Sequence, residues 1–159
     1  MTHATRFVAV AVLVALALCV PVQAQTPEID ALRVRAEAGD AIAQYNLGFM
    51  YANGEGVPQD YVEAVRLYRL AADQGHASAQ GMPGVLYNTG RGGPQDNVQA
   101  HMWYNLVAAR NTGWRRGQAV ETRDLIADEL TPDDLNEAQR RAREWDATHP
   151  RGPEALTLN

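Results

Sequence analysis

The side chains that most often carry out catalysis are scarce in this chain of 159 residues. All 14 basic residues are arginine, so no lysine is present to form a Schiff base. The single serine, Ser78, lacks the Gly-x-Ser-x-Gly surroundings of an exposed nucleophile, and the single cysteine, Cys19, lies within an apolar run. These features remove the common nucleophilic mechanisms and favour a protein that is not an enzyme.

The histidines and carboxylates are spaced for structural roles rather than for a metal or acid–base site. No histidine after the N-terminal region is followed by another metal ligand at the third or fourth position; these histidines are His76, His101 and His149. The pairs Asp128–Glu129 and Asp133–Asp134 are neighbours in the chain and would point about 100° apart on a helix, too far apart to share a proton. The run Gly90–Gly93 lacks the Lys-Ser/Thr that completes a phosphate-binding loop, and it predicts a turn instead. No catalytic residue, metal ligand or cofactor is therefore predicted.

The composition is that of an ordinary folded protein. Apolar residues make up 46% and charged residues 21% of the chain, which suits a packed core. The length fits one domain. The formal charge of −5 argues against nonspecific binding to nucleic acid or to anionic lipid, because both need a positive surface.

Residues 1–24 have the organisation of a secretory signal peptide. Arg6 provides a short positive region, and residues 7–20 form an uninterrupted apolar run. Val22 and Ala24 then place small residues at the −3 and −1 positions of a cleavage site. We therefore expect cleavage after Ala24 and a periplasmic or secreted protein.

Two alternatives to cleavage fit the sequence less well. A membrane anchor needs about 20 apolar residues, more than this run supplies, and no basic segment follows it. Lipid attachment at Cys19 needs a small residue before the cysteine, but Leu18 stands there. Removal of residues 1–24 would leave no cysteine, so the remaining chain would be held together by packing without any disulfide.

The chain then repeats itself with a period of 36 residues. Residues 40–75 align with residues 76–111 without gaps, and 15 of the 36 positions are identical. A period in this range is typical of stacked helical repeats, in which each unit buries its apolar face against its neighbours.

Each repeat predicts two helices, A and B, that are separated by a glycine turn. In the first repeat the apolar face of helix A consists of Ala43, Leu47, Gly48 and Tyr51. Gly54 ends this helix, and Asp60 caps helix B together with Glu63 in a variant of the capping box. The second repeat keeps this cap as Asp96 and Gln99. The buried stripe of helix B in the first repeat consists of Ala64, Leu67, Tyr68 and Ala71.

The helical pattern continues beyond both repeats. Residues 27–38 predict a lone helix B that caps the N-terminal end. Residues 114–130 predict a longer helix without the glycine turn, and Thr131 starts a last helix that runs to about Trp145, the last core residue. The expected organisation is a signal peptide (residues 1–24), a solenoid (25–146) and a loose tail (147–159).

The repeated positions carry a resemblance to a known family. The pattern Ala43-x3-Leu47-Gly48-x2-Tyr51-x2-Gly54-x-Gly56-Val57-x2-Asp60-x3-Ala64-x3-Tyr68-x2-Ala71-Ala72-x2-Gly75 resembles the Sel-one-like repeat (SLR), a relative of the tetratricopeptide repeat. The resemblance implies an α-helical solenoid in which helix A lines a concave surface. It also implies a scaffold or adaptor for other proteins, and some exported bacterial members resemble regulators or envelope factors. With the helices predicted above, the expected fold is an all-α, right-handed α–α solenoid of about seven helices.

The concave face is the candidate binding site. Its predicted residues are Ile42, Tyr45, Phe49, Asn53, Val85, Trp114 and Glu121. Tyr45 and Phe49 lie one turn apart on helix A and would form an aromatic wall, opposite a wall that is polar and acidic. Exposed aromatic side chains are common anchors for peptides. The alternative is that Tyr45 and Phe49 pack on the N-terminal cap helix.

The second repeat departs from the pattern at three positions: Gly81, Pro83 and Gly93 replace Tyr45, Leu47 and Val57. A proline inside a helix lacks the N–H for the helical hydrogen bond. We therefore expect helix A of the second repeat to be kinked at residues 79–83 or to begin only at Pro83. On this view the second repeat is the less stable one, and Pro83→Leu would raise the midpoint of unfolding.

The sequence thus predicts an exported, noncatalytic scaffold or adaptor that binds a protein or peptide on its concave face. Nucleic acid, a cofactor and a stable membrane anchor are not expected. One alternative is an accessory protein or hydrolase that acts on cell-wall material, which would need a catalytic constellation that the sequence does not show. Another is a structural protein that associates with itself, since the sequence does not indicate an oligomeric state.

Overall fold

The computed structural model describes residues 26–149, which fold into seven α-helices. The helices are α1 (Pro27–Glu37), α2 (Ala41–Asn53), α3 (Tyr61–Asp73), α4 (Met82–Thr89), α5 (Asn97–Arg110), α6 (Gly113–Ala127) and α7 (Pro132–Thr148). A short 3₁₀ turn, Ala79–Gly81, precedes α4. None of the helices in this range is long and apolar enough to cross a membrane. The predicted signal peptide (residues 1–24) and residues 150–159 of the predicted tail lie outside the described residues.

The helices form the predicted all-α solenoid. Helix α2 pairs with α3, and α4 pairs with α5, each as helices A and B of one repeat. Helix α1 packs against α2 as the expected cap, and α6 packs against α5 in the place of a further helix A. The predicted number, type and order of the helices are therefore confirmed.

The buried face of the first repeat follows the predicted pattern. Helix α3 buries the whole predicted stripe, Ala64, Leu67, Tyr68 and Ala71. In α2 the predicted apolar positions are buried except Tyr51, which is half-buried. Gln44 is also buried, although a pattern of apolar residues does not include it. Its Nε2 donates to the Ala36 carbonyl (3.1 Å), and its Oε1 accepts from Gln74 Nε2 (2.7 Å), so this amide links α1, α2 and the end of α3.

Gly48 and Gly84 lie where helix A crosses helix B. A Cβ atom at Gly48 would stand 3.1 Å from the Tyr68 ring, and one at Gly84 would stand 3.2 Å from Trp103 Cβ. These distances are shorter than the roughly 3.5–4.0 Å of a favourable carbon contact. Glycine at this position therefore sets the close approach of the two helices in both repeats.

The predicted N-terminal caps of both helices B are present. Oδ1 of Asp60 accepts the N–H of Val62 (2.9 Å), and Oδ1 of Asp96 accepts the N–H of Gln99 (2.9 Å). Asp40 caps α2 in the same way, which sequence analysis missed. These acceptors satisfy N–H groups that have no partner within the helix.

The predicted capping box of α3 is wrong. The Glu63 carboxylate pairs with Arg66 one turn later (2.6 Å) instead of turning back to the start of the helix. The Asp60 N–H donates to the Tyr51 carbonyl (2.9 Å), so the box has no free donor to satisfy. That hydrogen bond ties the start of helix B to the end of helix A.

Helix A of the second repeat begins late, as predicted. The 3₁₀ turn occupies the place of the first half of α2, and α4 begins at Met82 with Pro83 in its first turn. A proline in the first turn costs no intrahelical hydrogen bond. Pro83 is also fully buried. The expected gain in stability from Pro83→Leu therefore no longer follows, because the proline suits its place and a leucine would enter a filled site.

The last helix departs from the arrangement of the repeats. Helix α7 packs along α5 rather than against α6. Its Ala142 belongs to the same buried cluster as Met102 and Leu106 of α5. Thr131 caps the helix as predicted, but the helix ends at Thr148 rather than near Trp145.

Trp145 joins α7 to both repeats. Its ring packs edge-on against Trp103 (ring centroids 5.6 Å apart), and its Nε1 donates to Asp73 Oδ1 at the end of α3 (2.9 Å). The Arg110 guanidinium lies 4.6 Å from the centre of the same indole and pairs with Asp146 (2.7 Å). Because the Arg110 side chain is almost fully buried, this combination of cation–π contact and ion pair holds the end of α7 in place.

Removal of either helix-B cap should destabilise the solenoid. We expect Asp60→Ala and Asp96→Ala each to lower the free energy of unfolding by about 0.5–2 kcal/mol, because each leaves a helix N–H without its acceptor. Urea unfolding followed by circular dichroism measures the change. Glu55→Ala is the control, since Glu55 is an exposed acid in the turn before α3. Unchanged urea midpoints in both aspartate variants would show that the caps add no net stability.

Amide hydrogen exchange should be faster in residues 77–86 than in residues 41–50. The second segment is the regular helix α2 of 13 residues, whereas the first contains the 3₁₀ turn and the start of α4, a helix of 8 residues. Short helical segments open more readily than long ones. Exchange measured by mass spectrometry on peptic peptides gives the comparison. Equal protection of the two segments would contradict the lower stability of the second repeat.

Candidate functional site

A groove of about 640 Å³ opens between α2, α4 and α6, on the side of the solenoid that the helices A form. One end is lined by Tyr45 of α2, and the middle by Gly81 and Val85 at and beyond the 3₁₀ turn. The whole length of α6, from Trp114 to Leu125, forms the other wall. The helices A thus line the site, as the resemblance to the Sel-one-like repeat implies.

Tyr45 forms a rigid end of the groove. Its ring stacks on His76 (centroids 4.7 Å apart) and lies against Tyr68 (5.7 Å). Burial, and then the nearby Arg115, lower the pKa of His76, which favours a neutral imidazole in this stack. Tyr45 therefore packs on α3 and on the loop before α4, rather than on the N-terminal cap helix of the alternative interpretation.

Because Gly81 has no side chain, the groove has open space at its middle. It occupies in the second repeat the position of Tyr45 in the first. A Cβ atom there would find only Val107 Cγ2 within 4 Å, at 3.8 Å. The missing side chain exposes Val107 and Tyr104 of α5 as part of the groove.

The wall from α6 is amphipathic. Trp114 at its start is 71% exposed, and Leu125 near its end is also exposed. Arg115 and Glu121 lie between them, and Arg115 Nη2 donates to Ser78 Oγ (3.4 Å) across the groove. The wall that was expected to be polar and acidic thus presents an apolar surface with one cation and one anion.

The groove brings together four of the seven predicted binding residues: Tyr45, Val85, Trp114 and Glu121. It leaves out Ile42, Phe49 and Asn53. At 100° per residue, these three are rotated from Tyr45 by about 60°, 40° and 80° in the same sense, which carries them away from the groove. Ile42 and Phe49 are exposed there, and Asn53 Nδ2 donates to the Phe49 carbonyl (3.0 Å).

Sequence reasoning missed several lining residues: Met82, Tyr104, Val107, Gln118 and Leu125. Tyr104 and Val107 belong to a helix B, whose side chains are normally covered by helix A of the same repeat. The replacement of Tyr45 by Gly81 in the second repeat was the signal that could have indicated their exposure.

The histidines take structural positions in this part of the chain. His101 is buried, and burial lowers its pKa. His149 stacks on Trp145 with ring centroids 4.2 Å apart. Between residues 26 and 149, no three potential His, Cys, Asp or Glu ligands are grouped so that they could hold a metal ion.

Comparison with known families identifies the repeats. The model of the Sel1 repeat matches residues 41–76 and residues 77–111, which contain α2 with α3 and α4 with α5. This chain carries two Sel1 repeats. The resemblance noted in the sequence is thereby confirmed, and Sel1 repeats generally form scaffolds for protein–protein interaction.

Two solved structures are similar to this Sel1 repeat chain. A protective antigen present in uropathogenic Escherichia coli strains, which displays an SLR fold, is 30% identical over 80% of this chain and 27% of its own, with a TM-score of 0.68. A Sel1 repeat protein from Oxalobacter formigenes is 30% identical over 76% of this chain and 57% of its own, with a TM-score of 0.47. This chain thus spans about a quarter of the first protein and just over half of the second. A comparison with curated protein sequences finds no match.

Proposed function

We propose that this Sel1 repeat protein is an exported, noncatalytic adaptor that binds a peptide segment of a partner protein in the groove between α2, α4 and α6. The observation that carries the proposal is the exposed apolar surface of the groove, formed by Val85, Trp114 and Leu125. Large apolar side chains that line one concave surface mark a binding site. Their contact with water is unfavourable, and a partner that covers them removes that contact.

The groove suits a segment with an apolar anchor and polar neighbours. The space beside Gly81 can take an apolar side chain between Val85 and Trp114, which is the kind of desolvated pocket in which anchors contribute most. Arg115 and Glu121 lie along the wall and would attract opposite charges of the segment, which fixes its direction.

The polar groups of the groove support binding rather than catalysis. Ser78 Oγ contacts the Arg115 guanidinium, a group that cannot accept a proton at neutral pH. His76 Nδ1 accepts the Ala79 N–H (3.3 Å), and its ring is stacked on Tyr45, so the imidazole has a structural role. Sel1 repeat proteins are typically noncatalytic scaffolds, which agrees with this arrangement.

Peptide binding should depend on Trp114 and on the space beside Gly81. Peptides selected from a displayed random library against the wild-type chain should bind Trp114→Ala about 30-fold more weakly, the loss expected when an aromatic anchor is removed. Gly81→Tyr should block binding by restoring the bulk that the first repeat has at Tyr45. Fluorescence anisotropy of labelled peptides measures the affinities, and affinity capture from envelope extract with the same variants tests natural partners.

Phe49→Ala is the matched control, because Phe49 is an exposed aromatic residue outside the groove. It should bind the selected peptides as wild type does, and circular dichroism should show the same helical content in all variants. Equal loss in Phe49→Ala, or full binding by Gly81→Tyr, would place the binding surface elsewhere.

Export should leave a protein that begins at Gln25. Val22 and Ala24 have the sizes that a signal peptidase accepts, so the intact mass of protein from the cell-envelope fraction should lack residues 1–24. Ala24→Phe is the control, since a bulky residue at the −1 position should block the cut. Wild-type envelope protein that begins at Met1 or Thr2 would contradict the signal peptide.

A further inference from the structure

One face of α3 is a strip of apolar and charged residues that no other helix of residues 26–149 lines. The strip consists of Val62, Val65, Arg66, Arg69, Leu70 and Asp73, which recur at three- and four-residue intervals and line a depression of about 330 Å³. We call it the outer strip. Val62 is 64% exposed and Leu70 is 37% exposed, so two apolar side chains face water on one helix.

The second repeat covers the same face. Leu106 is identical to Leu70 and stands one period later, yet it is only 2% exposed. The cover is α7, whose Ala142 belongs to the same buried cluster as Leu106 and Met102. The repeats thus carry the same apolar position on helix B, and among residues 26–149 only the second repeat has a segment that buries it.

The chain leaves the described part beside the outer strip. Trp145 Nε1 donates to Asp73 Oδ1 (2.9 Å), and His149 Nε2 lies 3.5 Å from the same oxygen. Asp73 is the C-terminal member of the strip. His149, the last described residue, therefore lies at the end of the outer strip.

Residues 150–159 have the length and the chemistry to cover the outer strip. The strip spans 12 residues of helix, or about 17 Å along the helix axis. Pro150, Gly152 and Pro153 favour a turn after His149, and the four steps from Glu154 to Leu158 cover about 13 Å when extended, close to the roughly 11 Å from Arg69 to Val62. Leu156 and Leu158 are two apart, so they share one side of an extended segment. Glu154 supplies an acid for Arg69, which has no ion pair among residues 26–149.

We propose that residues 150–159 dock along the outer strip, with Leu156 and Leu158 on its valines and Glu154 beside Arg69. This segment would cover the apolar side chains of α3 as α7 covers those of α5. The assignment is independent of the peptide groove, which shares no lining residue with the outer strip.

Disulfide trapping tests the docking directly. Cys19 is the only cysteine, so the full chain with Cys19→Ala provides a background without thiols. Leu158→Cys is combined with Val62→Cys on the outer strip or with Leu125→Cys in the groove. Val62 and Leu125 are both 64% exposed, so the two partners are matched in accessibility.

The Val62 pair should form its intramolecular disulfide at least about 10-fold faster than the Leu125 pair in native buffer, because docking raises the effective concentration of the two thiols. In 8 M urea the difference should disappear. Equal rates in native buffer would overturn the proposal, as would a faster Leu125 pair, which would place the segment in the groove. Disulfide-linked dimers as the main product would assign the strip to a second copy and would also overturn it.

A charge exchange tests the proposed ion pair. Glu154→Arg in the Val62 pair should slow disulfide formation, and Arg69→Glu added to it should restore the rate. Glu129→Arg serves as the control, since Glu129 lies on the loop between α6 and α7 and is outside the strip. Slowing by Glu154→Arg without rescue by Arg69→Glu would remove Arg69 from the docking site.

Discussion

The close approach of helix A to helix B is the constraint on which the rest of the solenoid depends. At Gly48 and at Gly84 the opposing aromatic side chain occupies the space that a Cβ atom would need. The two helices A differ strongly in length and regularity, yet both cross their helix B at this glycine. A constant crossing keeps the helices A on one side and the helices B on the other, so the protein has a lined groove on one face and an outer surface opposite.

The groove exists because the second repeat departs from the first. Tyr45 fills the space above α3 with a ring that stacks on its neighbours, whereas Gly81 at the equivalent place leaves α5 uncovered. Pro83 also contributes, because it lies in the first turn of α4, which begins only at Met82. A 3₁₀ turn, Ala79–Gly81, therefore stands where the first repeat has regular α-helix. The positions that match the repeat least well thus shape the candidate binding surface. Glycine costs helix stability at this place, and it leaves the space that the proposed binding of a peptide segment requires.

Local signals in the sequence predicted most of the fold. The caps Asp60 and Asp96 and the left-handed Gly54 act within a few residues of the chain, so a pattern of residue types is sufficient to find them. The position of α7 could not be predicted in this way. Leu70 and Leu106 are identical and occupy the same place in the repeat, but only the second is buried, because a distant segment folds over it. The candidate site was predicted only in part for the same reason. Helical spacing shows which side of its helix each residue lies on, but the residues that border the groove depend on which other helices pack beside it.

The distribution of charge distinguishes the groove from the solvated faces. Along α7, Arg140 and Arg141 both pair with Glu137, and Arg140 also pairs with Glu144, so two cations face two carboxylates. Such exposed pairs add little stability, but they neutralise each other and present no net charge to a partner. In the groove, Arg115 instead contacts the neutral hydroxyl of Ser78. Its charge remains available beside an exposed tryptophan, and a partner that supplies both an apolar side chain and an acid can use the two together. Trp114 and Arg115 both line the groove, so the peptide segment proposed above would meet an apolar surface and a cation in the same place, which favours a segment that carries both an apolar side chain and an acid.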